Sequence, residues 1–100
     1  MRVIALSTLK YFLENNPGYQ DAREPCLAWY RQALVADWAS PAGVKVDFGN
    51  ASILRDGRVV FNIAGNKYRL VVWVNYAYRV VYIRFIGTHK QYDAIDAQTI

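Results

Sequence analysis

Three runs dense in Val, Ile, Phe, Tyr and Trp follow one another at Val59–Ile63, Tyr68–Val74 and Val80–Ile86. Each has the length of an ordinary strand. The connections between them, Ala64-Gly65-Asn66-Lys67 and Asn75-Tyr76-Ala77-Tyr78-Arg79, are short and carry turn residues of the kind that join antiparallel neighbours. The sequence predicts a three-stranded meander, and the rest of the chain must pack on it.

Side chains on a strand alternate between two faces. Leu70, Val72 and Val74 share one face of the middle strand, and Val81, Ile83 and Phe85 share one face of the last. These six are the expected core. Lys67, Arg69 and Trp73 fall on the opposite face, with Tyr82 and Arg84 from the last strand and Asn62 from the first. So polar a face on such an apolar meander points to a surface that binds something charged. The run ends in Gly87-Thr88-His89-Lys90-Gln91-Tyr92-Asp93, where Thr88 and Gln91 have the spacing of a capping box at the start of a short helix. His89 and Lys90 then sit in the first turn, where cations are disfavoured and anions favoured. A phosphate would offset that cost.

The 100 residues amount to one domain, residues 1–100, and the apolar fraction of 54% marks a folded chain. No apolar run is long enough to cross a bilayer, and the N-terminus lacks the apolar core and cleavage site of a signal peptide, which predicts a cytoplasmic protein. The single cysteine, Cys26, fits that compartment and is expected in the core. Net charge is +4 but uneven: between Gly43 and Tyr92 eight Lys or Arg face only Asp47 and Asp56, a net +6. A segregated positive field favours a polyanionic partner.

Upstream of the meander, Arg2–Ala5 reads as a short edge strand. Ser7 is the expected N-cap of a helix running to about Asn15, ended by Asn16-Pro17-Gly18. A second helix begins near Asp21, whose spacing to Glu24 matches another capping box, with Pro25 in its first turn. Leu27, Tyr30, Leu34 and Trp38 form its expected apolar stripe. Ser40-Pro41-Ala42-Gly43 stops it, and Val44 to Gly57 reads mostly as loop, able to bring Lys45, Arg55 and Arg58 to the rim of the polar face. The expected fold is α+β in the order β-α-α-β-β-β-α: two layers, with the helices on one face of an antiparallel sheet and the other face open.

Cleaving RNA without a metal requires a deprotonated ribose 2′-hydroxyl, a stabilised phosphorane and a protonated leaving oxygen. Arg69, Arg84 and Lys67 are suitable cations for the phosphorane. His89 is the one side chain whose ordinary titration lies near neutrality. Tyr92 is a candidate base if cations lower its pKa, and Lys90 a candidate acid or phosphate anchor. Each has a structural competitor: His89 as a surface residue, Tyr92 as packing for the terminal helix, Arg69 and Arg84 as partners of Asp93 or Asp96. Asn62 and Asn66 fit turn roles, with Asn66 in a left-handed conformation, and Trp73 and Tyr82 either stack on bases or pack. With one His, one Cys and no carboxylate cluster, no metal site is expected and no cofactor is implied. Neither a phosphate-binding glycine loop before a helix nor a nucleophilic triad is present.

The segments Phe61-Asn62-Ile63-Ala64-Gly65-Asn66-Lys67-Tyr68-Arg69-Leu70 and Tyr82-Ile83-Arg84-Phe85-Ile86-Gly87-Thr88-His89-Lys90-Gln91-Tyr92-Asp93 resemble the HigB branch of the RelE-like toxins. The likeness covers nearly the whole chain, and the first segment is its most specific part. It implies a ribosome-dependent mRNA endonuclease, the toxin of a type II toxin–antitoxin pair, neutralised by a HigA-like helix-turn-helix antitoxin through which alone the pair would bind operator DNA. By their chemistry and their place on the strands and the terminal helix, Arg69, Arg84, His89 and Tyr92 are the candidate catalytic residues, and Lys67, Lys90, Asn62 and Arg58 the candidate RNA-phosphate ligands. Ala64 stands where the family often has a second Gly. The Asp, Tyr, His order that another HigB branch uses near its C-terminus is absent, so no roles are taken from it. The same basic, aromatic face would also serve a non-catalytic RNA- or ribosome-binding module.

Overall fold

The computed structural model describes residues 1–100. Strands β1 (Arg2–Ile4), β2 (Ser52–Ile53), β3 (Arg58–Ile63), β4 (Tyr68–Asn75) and β5 (Val80–Thr88) form one sheet in the order β1-β5-β4-β3-β2. The meander is present as expected, and β1 joins it parallel to β5 while every other pair is antiparallel. The helices are α1 (Leu6–Asn15), α2 (Arg23–Val35), α3 (Pro41–Asp47) and α4 (His89–Asp93).

The expected α+β architecture is borne out, with local differences that have physical causes. Ser7 does not cap α1. The helix starts at Leu6, directly after Ala5 at φ 70°, because the chain must turn sharply from a strand in the sheet to a helix lying over it. Between α1 and α2 the chain forms a 3-10 turn, Pro17–Ala22. It runs straight into α2, so no Asp21–Glu24 capping box forms. Helix α2 buries Cys26, Trp29 and Ala33 rather than the expected Leu27, Tyr30 and Leu34 stripe. The two choices differ by about 100° about the helix axis. The small side chains of Cys26 and Ala33 let α2 approach the sheet closely enough for Trp29 to reach Phe61, ring centroids 5.5 Å apart. Trp38 lies past the end of α2 yet is buried, its ring stacked on Phe61 and its indole N–H donating to Asp47.

The segment read as loop contains α3, opened by Pro41 at its first position, where a missing N–H costs nothing. Phe48, just after α3, meets Phe61 edge to face at 5.0 Å. Phe61 thus receives three aromatic rings from three segments, and the main core lies between α1, α2 and the Phe61, Leu70, Val72, Val81 and Ile83 face of the sheet.

Phe85 is the exception on that face. Val72 pairs with Ile83 but Val71 pairs with Phe85, so Arg84 is an extra residue in a β-bulge. A bulge resets the alternation. Phe85 therefore moves to the opposite face, beside Val60 and Val71, and Ile86 takes the core position.

The opposite face is not fully open. Helix α4 and the segment after it fold over its middle, where Leu54, Tyr92, Ile95, Ala97 and Ile100 pack on Val60, Val71 and Phe85. The face is left with two accessible ends.

Candidate active site

The strand register orders the residues of that face. Asn62, Arg69 and Gly87 lie side by side at one end, Val60, Val71 and Phe85 across the covered middle, and Arg58, Trp73 and Tyr82 at the other end. Gly87 has no room for a side chain, since a Cβ would stand 2.6 Å from the Phe85 ring and 2.7 Å from Gln91 Oε1. This position holds α4 close to the strand.

At the first end, α4 begins as expected. The Thr88 hydroxyl accepts from the Gln91 amide at 3.1 Å, and the Gln91 side chain accepts from the Thr88 amide at 2.9 Å, a complete capping box. The next amide, that of His89, donates to the Lys67 carbonyl at 3.0 Å, which fixes the first residue of α4 against the start of β4. The His89 imidazole is half exposed and its Nδ1 lies 3.0 Å from Asp93 Oδ2, one helical turn away. A carboxylate can only accept, so Nδ1 carries the proton and Nε2 is left for other chemistry.

Arg69 stands on the strand beside this helix start. Its Nη1 donates to the carbonyls of Asn66 at 3.0 Å and Tyr68 at 3.3 Å, so the rest of the guanidinium is uncommitted. None of Arg69, Arg84 and Lys90 takes part in the three ion pairs, and the competing expectation that Asp93 or Asp96 holds the arginines is not met. Asp93 goes to His89, and Asp96 accepts from the Gln98 amide.

The other candidates are placed differently. Lys67 points to the helical layer, its Nζ 2.7 Å from Asp21 Oδ2, and so does not stand free on the polar face. Asp21 also accepts from the Tyr68 hydroxyl at 2.5 Å. These hydrogen bonds, from Lys67 first and then Tyr68, hold the Asp21 carboxyl below its ordinary range. Burial first, then the Asp21 bond, push the Tyr68 phenol up to about 12. Asp21 is therefore a structural tie that sequence reasoning assigned to a cap. Arg84 is exposed at the bulge, three residues along β5 from Gly87, roughly 10 Å at the rise of a strand. Arg58 is at the far end, its Nη2 donating to the Ile100 carbonyl at 2.9 Å and its Nε buried without a partner. Tyr92 packs α4 on the sheet. Asn62 is exposed beside Arg69, and Lys90 is exposed in the first turn of α4.

The structure thus brings Asn62, Arg69, His89 and Lys90 to one end of the face and sets Arg84 and Arg58 apart from them. Trp73 and Tyr82 are stacked on each other, 4.9 Å between centroids, beside Arg58. Asp93 was missed as part of the site, although its spacing of four from His89 is the signal that finds such helix neighbours.

No match appears among curated proteins. Residues 22–95 match the family model for HigB toxins, described as the RelE-like toxic component of a toxin–antitoxin system. That span runs from the start of α2 through all three meander strands and α4. A match over that much of the chain, on a fold of this order, means that the chain belongs to the HigB toxin family.

Proposed function

We propose that this toxin is an mRNA endonuclease that acts on message held in the ribosome, with Arg69 and the His89–Asp93 pair at the centre of its site. The observation that carries this reading is a polarised imidazole and an unpaired guanidinium fixed at one end of the sheet by a capped helix and a strand. In the proposed reaction the ribose 2′-oxygen attacks the adjacent phosphorus, the 5′-oxygen leaves, and the products are a 2′,3′-cyclic phosphate and a 5′-hydroxyl. Arg69 stabilises the phosphorane charge, and His89 Nε2 exchanges the proton, with Asp93 keeping the ring in the useful tautomer. Lys90 and Asn62 hold the flanking backbone. A site with so few groups suits a reaction in which the ribosome orients the RNA.

The antitoxin of the pair is a HigA-like helix-turn-helix protein on this reading, and the toxin works in the cytoplasm. His89→Ala and Arg69→Ala are each expected to abolish new mRNA 5′ ends mapped on ribosomes after brief induction, while ribosome association in sedimentation is retained. Loss of association with no cleavage by the parent protein would instead indicate a binding module.

A further inference from the structure

Strand β1 ends at Ile4, opposite Tyr82, whereas β5 continues to Thr88. The side of β5 away from β4 therefore has no strand neighbour beyond Tyr82. A groove of about 430 Å³ runs along that edge. Thr8, Tyr11 and Phe12 of α1 form one wall, Gln91 and Ile95 the other, and Phe85 and Ile86 the floor. Phe85 and Ile86 are consecutive and belong to opposite faces of the sheet, so a groove that touches both lies along the strand edge itself.

The groove is apolar, none of its lining residues is charged, and Tyr11 at its mouth is 70% exposed. Cations adjoin two of its residues in the chain, Arg84 before Phe85 on the floor and Lys90 before Gln91 on one wall, both exposed and outside every ion pair. Proteins blunt free edges with charges and bulges, and Arg84 at its bulge does both. Cations on an edge repel basic strands and match best a strand that brings carboxylates.

We infer that the β5 edge is the docking site of the antitoxin, which lays an extended segment with alternating apolar side chains and flanking Asp or Glu into the groove between α1 and α4. Backbone bonds to β5 supply affinity, and the apolar floor and the two cations supply selectivity. A segment seated there also covers Arg84 and reaches Lys90, which belongs to the basic end. The inference rests on membership of a toxin–antitoxin family and not on RNA cleavage, so either can fail alone.

The test uses the purified toxin and the antitoxin encoded beside it. Hydrogen exchange on the complex against free toxin is expected to show new protection at β5 amides from Arg84 to Ile86 that point away from β4, the Thr88 amide being already bonded to Gln91. Tyr11→Lys, exposed on α1, and Thr8→Lys, half-buried beside it on the groove wall, are expected to weaken the antitoxin by about tenfold or more. They should leave the melting temperature and mRNA cleavage by free toxin unchanged. Val46→Lys, exposed on α3, should leave affinity as it was. Unchanged antitoxin affinity in both α1 variants, or a complex in which the β5 edge gains no protection, overturns the inference. So does protection of that edge in toxin alone with rising concentration, which would mean a second copy of the chain occupies it.

Discussion

Ala64 and Gly65 turn the β3–β4 connection with φ values of 53° and 68°. Asn66, the expected left-handed residue, is not one of the positive-φ positions. An alanine in that conformation brings its Cβ against its own backbone, which costs roughly 1–2 kcal/mol. Ala64→Gly is therefore expected to raise the urea midpoint by an amount worth about 1 kcal/mol, with an unchanged slope and, on the proposed mechanism, unchanged cleavage. Asp21 and Tyr68 make a second prediction at this scale. Asp21 has a lowered folded-state pKa, so its contribution is present above its unfolded value of 3.8 and is lost as the pH falls through the lower folded one. Tyr68 has a raised one, so its contribution is present below 10.0 and is lost as the pH rises toward about 12. Asp21→Asn should flatten the acid limb of a stability-against-pH curve and shorten the alkaline limb, measured by thermal melts across the range.

Helix α4 is only five residues long and cannot hold itself together, since isolated helices of that length are unstable in water. Its capping box and the His89–Lys67 backbone bond keep its first turn in place. Thr88→Ala is expected to cost about 1 kcal/mol of stability. On the proposed mechanism it should also lower the cleavage rate, because His89 is the first residue of the helix. Thr88→Ser, which keeps the hydroxyl acceptor, should restore both in the same melting and cleavage assays. The β5 bulge matters at the same scale. A strict alternation places Phe85 in the main core, and the one inserted residue sends it to the second cluster and leaves Arg84 exposed.

Taken whole, the molecule separates its charge. Eight of its Lys and Arg lie between Gly43 and Tyr92, and Arg69, Arg84 and Lys90 are free of carboxylate partners. Binding to a polyanion through such groups releases counterions and weakens on a log–log scale as salt rises. On the proposed function, association with ribosomes is expected to follow that line, and Arg69→Ala to reduce its slope by about one charge, read from sedimentation at several salt concentrations. A slope unchanged by Arg69→Ala would place the nucleic acid elsewhere on the molecule.

The meander, the α4 cap, the burial of Cys26 and the family resemblance were legible in the chain, because strand length, turn composition and cap spacing are properties of neighbouring residues. The residues of the polar face were legible too, wherever simple alternation holds. Tertiary structure decided the rest. Which stripe of α2 is buried depends on how close Cys26 and Ala33 let it come to Phe61. Whether Lys67 is free depends on Asp21, 46 positions away. Which cations share an end of the sheet depends on a bulge and on a terminal segment folding back across it. Contacts between distant parts of the chain settle each of these, and local periodicity carries no information about them.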